Sequence, residues 1–231
     1  MGFLLDSFRS ACNLIFSMDQ ELWEVVSVSL RVSSSSTLIA GIIGIPAGLL
    51  ISLHEFHGKR LLITVLNTLL ALPTVVIGLF VYSFISRKGI LGPLDLLYTQ
   101  KAMIIGQIFL VIPIVTTFTI SAVSRIDDRY RKTALTLGAN ALQTARIIVR
   151  EARFGILAAV IMAFGRVIAE VGISMMLGGN AKGFTRTMTT AMALEYDKGE
   201  FILSVALGIV LLFLSFCLNV FFHYFQGRTG G

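Results

Sequence analysis

A chain of 231 residues with 55% hydrophobic residues, only 14% charged residues and a mean hydropathy of +0.85 is far too apolar for a soluble domain, where roughly a quarter of residues are charged. It is an integral membrane protein. The net charge of +6 calls for no nucleic acid, because the basic residues cluster by membrane side as the positive-inside rule expects.

The opening MGFLLDSFRS has no basic n-region, and Asp6 stands where a myristoylation signal needs Ser or Thr, so neither a cleaved signal nor a lipid anchor is expected. Cys12 and Cys217 lie in apolar surroundings without partner spacing, which argues against a disulfide framework or a metal site. Residues 1–24 are expected as an extracytoplasmic segment, residues 225 and below as far as 25 as a transmembrane domain, and 226–231 as a cytoplasmic tail.

About 20 apolar residues cross the hydrocarbon core as a helix. Five stretches qualify: Val25–Leu53, Leu61–Phe84, Met103–Val123, Phe154–Leu177 and Phe201–Phe225. Arg31 and Ser33 to Ser36 interrupt the first, whose apolar part begins at Thr37; Gly41, Gly44 and Gly48 then recur at a spacing suited to close helix approach. Beside it lie His54, Glu55 and His57, too few ligands for a defined metal geometry. Pro46, Pro73 and Pro113 fall inside three spans, where each removes a backbone hydrogen bond and favours a kink. Asn67, Thr68, Thr74, Gln107, Thr116, Thr117 and Thr119 are poor neighbours for lipid and are expected to face protein, water or a pathway.

Between the third and fourth stretches runs a basic segment, Arg125 to Arg153, with seven Arg and Lys residues. Gly138 divides it into two helix-forming stretches, Asp127–Leu137 and Asn140–Arg153, and allows a sharp turn between them. Tyr130, Ala134, Leu135 and Leu137 form an apolar set among Arg129, Arg131 and Lys132. A helix lying on the lipid surface and a helix docking on a protein partner both satisfy this pattern.

The fourth stretch carries Arg166 and Glu170, four apart and expected on one helix face. A static pin between helices and the wall of a translocation route are both compatible with such a pair. The outer segment LGGNAKGFTRTMTTAMALEYDKGE follows and reads as a mobile, solvated turn. It offers Asn180, Lys182, Thr185, Arg186, Thr187, Thr189 and Thr190, a chemistry also suited to guiding an oxyanion. Its glycines lack the G-x-x-x-x-G-K-[ST] spacing of a phosphate loop, and the chain has no H-E-x-x-H or G-x-S-x-G motif and no evident pair of catalytic carboxylates. His223, in the last span, reads as an interface residue.

Lys59, Arg60, the basic segment and Arg228 fall on one side of the five spans. The opposite segments mix Arg9, Arg87, Lys88, Lys101, Lys182, Arg186 and Lys198 with seven acidic residues. This asymmetry favours the N-terminus outside and the C-terminus in the cytoplasm.

The run TALTLGANALQTARIIVREA resembles the cytoplasmic EAA motif of permease subunits from bacterial and archaeal ABC importers. Lys132, Thr133 and Ala134 occupy its EAA positions, Gly138 its glycine and Ile148 its later hydrophobic position. Lys132 replaces the acidic residue, and Arg150 with Glu151 replaces Leu-Pro, so a contact through that carboxylate does not carry over. SLRVSSSSTLIAGIIGIPAGLLISL, LNTLLALPTVVIGLFVY, SRKGILGP, GRVIAEVGISMMLGGN and FTRTMTTAM resemble successive segments of the molybdate, sulfate and tungstate permease group, and the later ones look most like the tungstate type.

The resemblance implies an all-α integral membrane protein of about five transmembrane helices, with the type I ABC importer (MetI-like) permease fold and a cytoplasmic coupling helix. It implies a non-hydrolytic permease without a cofactor of its own, working in lipid as a pair of identical copies. The partners are ABC ATPase subunits that bind ATP and Mg, and an extracytoplasmic oxyanion-binding protein. Tungstate is the expected substrate, with molybdate or sulfate as alternatives and an ion-coupled secondary transporter as a reading from another class. Lys132, Thr133, Ala134, Leu135, Gly138, Ala139 and Asn140 are then the expected coupling residues. Arg166, Glu170, Asn180, Thr185, Arg186 and Thr187 are the candidates for the route.

Overall fold

The computed structural model describes the backbone of residues 2–227 and the side chains of residues 9–220. Asp6, His223 and Arg228, used above, have side chains outside that range. The described chain is helical throughout: α1 (Gly2–Phe16), α2 (Gln20–Leu53), α3 (Lys59–Leu70), α4 (Thr74–Ile85), α5 (Gln100–Ser124), α6 (Asp128–Thr136), α7 (Ala141–Ile168), α8 (Gly172–Gly178), α9 (Met188–Lys198) and α10 (Phe201–Gly227).

α2, α5 and α10 are each long and apolar enough to cross a membrane, and the bent pairs α3–α4 and α7–α8 bring the number to five if each pair is one span. α2 begins earlier than hydropathy suggests, at Gln20 rather than Val25. Asp19 caps it by accepting the Leu22 N–H at 3.0 Å, which satisfies one of the orphan donors of a helix start. Its 34 residues make a rod of about 51 Å, longer than a hydrocarbon core of roughly 30 Å, and Arg31 is exposed on its first half. The chain passes through Pro46 and Pro113 without leaving the helix.

The second span is not one kinked helix. α3 and α4 meet at 101°, because Pro73 has no N–H to continue α3 and restricts Leu72 before it to non-helical conformations. Asn67 and Thr68 stay exposed on α3, uncovered by the rest of this chain, which leaves water, a pathway or a second protein surface as what they face. The fourth span is broken too: α7 stops at Ile168 and α8 leaves at 60°. Glu170 therefore lies in the break rather than in the middle of a continuous helix.

α2 packs along α5 through its glycines. A β-carbon on Gly44 would meet Val115 Cβ at 3.0 Å, and one on Gly48 would meet Thr119 Cβ at 2.7 Å, whereas Gly41 has no neighbour of another helix within 4 Å. One apolar core joins α2, α4, α5, α7 and α8 around Val81, Val111, Val115, Ala163, Ile173 and Leu177. A second joins α1, the outer turns of α2, α9 and α10 around Leu22, Val26, Met188, Ala191 and Leu207. Across the first core Ser36 Oγ donates to Gln107 Oε1 at 2.8 Å, and Thr116 and Thr119 are buried as expected.

Candidate functional site: the broken span, the polar knot and the basic insert

Glu170 is held at the break from three sides. Its Oε2 accepts from Arg166 Nη1 at 2.8 Å, its Oε1 accepts the Ile173 N–H at 3.1 Å and its carbonyl accepts from Thr189 Oγ1 at 2.8 Å. The carboxylate thus caps α8 while pairing with α7, and its side chain is only 2% exposed against 43% for Arg166. The two residues meet as their spacing suggests, although only Arg166 is on the helix. The neighbouring break of the second span lies close by, since a β-carbon on Gly172 would meet Thr74 Oγ1 at 2.9 Å.

The segment after α8 is solvated only in part: Ala181 to Phe184 and Tyr196 to Glu200 are exposed, whereas its threonine-rich middle is enclosed. Thr185, Arg186, Thr187, Thr189 and Thr190 are all buried, and the chain winds into α9. The threonines can be buried here because they satisfy one another and the backbone, whereas Arg186 Nε is enclosed without a hydrogen-bond partner among the described residues. Thr185 Oγ1 donates to the Gly178 carbonyl at 2.6 Å and accepts the Ala181 N–H at 3.0 Å. Thr187 and Thr190 form a reciprocal cap on α9, and the Met188 N–H donates to Ser29 Oγ of α2 at 2.7 Å. Asn180 adopts a positive φ of 52° and donates through Nδ2 to the Thr190 carbonyl.

Arg186, with its side chain 10% exposed, lies between Glu21 of α2 at 3.5 Å and Glu195 of α9 at 3.8 Å. Lys182 also binds Glu21, at 2.7 Å, and Lys198 binds Glu195, at 2.9 Å. The sequence candidates therefore separate: Arg166 presents its guanidinium at a surface, Asn180 is half-buried, and Glu170, Thr185, Arg186 and Thr187 are enclosed. Glu21, Glu195 and Ser29 complete these networks without having been among the candidates, together with Thr189, which the sequence had named. Only the acidic residues at opposite ends of the outer segments hinted at the pairing.

On the other side, Asp127 starts α6 by accepting the Arg129 N–H at 2.8 Å. α6 ends at Leu137, Gly138 takes a φ of +82°, and Asn140 opens α7 with a capping box to Gln143. The Ala139 N–H returns to the Ala134 carbonyl at 3.0 Å and the Gly138 N–H to Leu135 at 3.0 Å, closing the helix end around the glycine. Ala134 is buried against the chain's own surface, while Lys132, Thr133, Leu135 and Asn140 are exposed, Ala139 is half-buried and Leu137 is 82% exposed. Val123, Ile148 and Ala152 seat the insert on Leu49 and Leu53 of α2.

Lys59 ties the adjoining inner loop together, donating to the Ser52 and His54 carbonyls at 3.2 and 3.0 Å and to Glu55 Oε1 at 2.8 Å. This hydrogen bond and the Lys59 charge, with a smaller contribution from Arg131 of α6, hold the Glu55 carboxyl below its ordinary range. A cleft of about 290 Å3 separates the loop from α6. Among the described residues no three His, Cys, Asp or Glu side chains come together as a metal site.

Residues 42–231 match the family model of binding-protein-dependent transport system inner membrane components. The chain belongs to this family. Across 98% of its length it is 38% identical to the tungstate uptake system permease protein TupB of Peptoclostridium acidaminophilum, covering 99% of that protein. It is 37% identical to a probable anion ABC transporter permease protein of Haloferax volcanii, over 91% of this chain and 93% of that one. The molybdenum transport permease ModB of Escherichia coli stands further off, at 28% over 84% of this chain and 91% of its own. As an inner membrane component the chain has the ABC importer permease fold: a bacterial ABC transporter that imports alginate superposes with a TM-score of 0.76 at 17% identity, over 97% of this chain and 84% of that one. The inward-facing methionine transporter MetNI gives 0.69 at 16% identity, over 92% of this chain and 96% of that one.

Proposed function

We propose that this inner membrane component is the permease of an ABC importer for tungstate, working as a pair of identical copies with its N-terminus outside and C-terminus in the cytoplasm. Its similarity over nearly the full length to tungstate uptake permeases carries the substrate reading. Molybdate is the next substrate in line, and sulfate follows. ATP and Mg bind on separate ATPase subunits, and an extracytoplasmic binding protein delivers the oxyanion.

α6 and the first turns of α7 are the coupling element. Leu135, Leu137 and Leu142 stand exposed on a rigidly capped helix pair, an apolar surface that a groove on an ATPase would cover. Lys132 stands where the family motif has an acid, so docking relies on this apolar surface and on the Gly138 turn. Glu170, Thr185, Arg186 and Thr187, being enclosed, hold the outer part of the route in shape, and Arg166 and Asn180 face it.

Copurification tests the reading. Tagged chain, co-expressed with the ABC nucleotide-binding subunit of the same organism, is expected to retain that subunit and to stimulate its ATPase when loaded binding protein is added. Retention of no ATPase, with uptake driven by a proton or sodium gradient alone, would overturn the reading in favour of a secondary transporter.

A further inference from the structure

Arg166 and Glu170 are the only charged residues between Arg153 and Lys182. The pair is asymmetric. Glu170 is enclosed and has both carboxylate oxygens engaged, whereas Arg166 uses Nη1 alone and has no other hydrogen-bond partner among the described residues. Its Nε and Nη2 make no hydrogen bond to a described residue on a side chain that is 43% exposed, and that edge has the fork geometry that fits two oxygens of one oxyanion.

The surface around it is small. Met162, Gly165 and Ala169 are exposed on the same side of α7 as Arg166, and a β-carbon placed on Gly165 would meet nothing within 4 Å. Apolar turns from Phe154 lie on one side of this spot and α8 on the other. An ionisable side chain within a membrane span faces protein or a water-filled cavity rather than hydrocarbon. Within this chain the half-used guanidinium has room beside it for an anion.

We infer that Arg166 is a transient binding site for the transported tetrahedral oxyanion inside the membrane, and that Glu170 is its positioning residue. This rests on the importer reading above. Glu170 fixes the guanidinium and offsets part of its charge, so a dianion is attracted without being trapped, as conduction demands of an intermediate site. The carboxylate does not have to leave, because it uses a different nitrogen from the edge that receives the oxyanion.

The test is tungstate uptake by proteoliposomes containing the whole complex with its ATPase and binding protein, alongside ATPase stimulation by loaded binding protein. The double variant Arg166→Gln with Glu170→Gln removes both charges while leaving an amide oxygen to accept the Ile173 N–H. It should retain stimulation and lose uptake by about 10-fold or more, the size of one charge-assisted hydrogen bond. Arg166→Lys, which keeps the charge but not the fork, should fall between it and the wild type. Wild-type uptake by the double variant would overturn the inference, and so would joint loss of uptake and stimulation, which would make the pair a structural pin. If the wild-type complex itself moves no tungstate, molybdate or sulfate, the importer reading fails and takes this site with it.

Discussion

Arg186 Nη1 lies 3.5 Å from Glu21 Oε1, joining the segment before α9 to the first turn of α2 across 165 residues of chain. With Glu195 at 3.8 Å on its other side, this arginine ties the start of one span to the outer segment between two others. Arg186→Met should destabilise the protein by about 3 kcal/mol, because it leaves the enclosed Glu195 with Lys198 alone. Glu21→Gln should cost less, since Glu21 is partly open to solvent. Thermal unfolding in detergent, followed by tryptic cleavage between α8 and α9, measures both; equal losses would contradict the account.

The glycines of α2 are not equivalent. Gly48→Ala places a methyl 2.7 Å from Thr119 Cβ and 2.8 Å from the Thr116 carbonyl, so it should cost about 1–3 kcal/mol by overpacking α2 against α5. Gly41→Ala meets only Ile45 of its own helix, at 4.0 Å, and should be neutral or stabilise by up to about 1 kcal/mol through helix propensity. Unfolding midpoints of the two variants should move in opposite directions or differ clearly.

At Gly138 the expected cost is conformational. No atom lies within 4 Å of an added β-carbon, but the φ of +82° strains any L side chain. Gly138→Val should therefore leave the membrane spans folded, shift the angle between α6 and α7, and break the link between ATP hydrolysis and uptake. Gly138→Asn, which tolerates positive φ better, should preserve more of it. Uptake per ATP hydrolysed is the measurement, and a normal ratio in the valine variant would remove the coupling role.

Glu55 offers a pH-dependent test of the inner loop. Its folded pKa is lowered from 4.5, first by the Lys59 hydrogen bond, then by the Lys59 charge, and less by Arg131. A depressed carboxyl stabilises the folded state above the unfolded pKa, and that contribution disappears as pH falls through the folded value. The exposed position keeps the effect small. Carboxyl NMR titration should show Glu55 moving up toward 4.5 in Lys59→Met and less far in Arg131→Gln.

Hydropathy made the spans legible, and local chemistry made the insert legible: Asp127, Gly138, and Asn140 with Gln143 mark its starts and its turn one by one. Bends were less visible. Pro73 announced a disturbance but not a corner of 101°, since an apolar window sums to the same value whether the helix is straight or folded back. The break at Glu170 had no proline to announce it; it depends on a carboxylate capping the next helix and on Thr189 coming from a distant segment. The enclosure of the threonines before and in α9 was not legible, because each hydroxyl counts as polar when taken singly. Burial becomes acceptable only once Thr185, Thr187 and Thr190 find each other and the backbone.

ATP-dependent uptake into proteoliposomes bearing the chain, its ATPase and its binding protein tests the central claim most directly, with tungstate, molybdate and sulfate offered in competition. The account predicts uptake that requires ATP and both partners and that prefers tungstate. Uptake that proceeds without the ATPase, or no uptake of any of the three oxyanions, would contradict it.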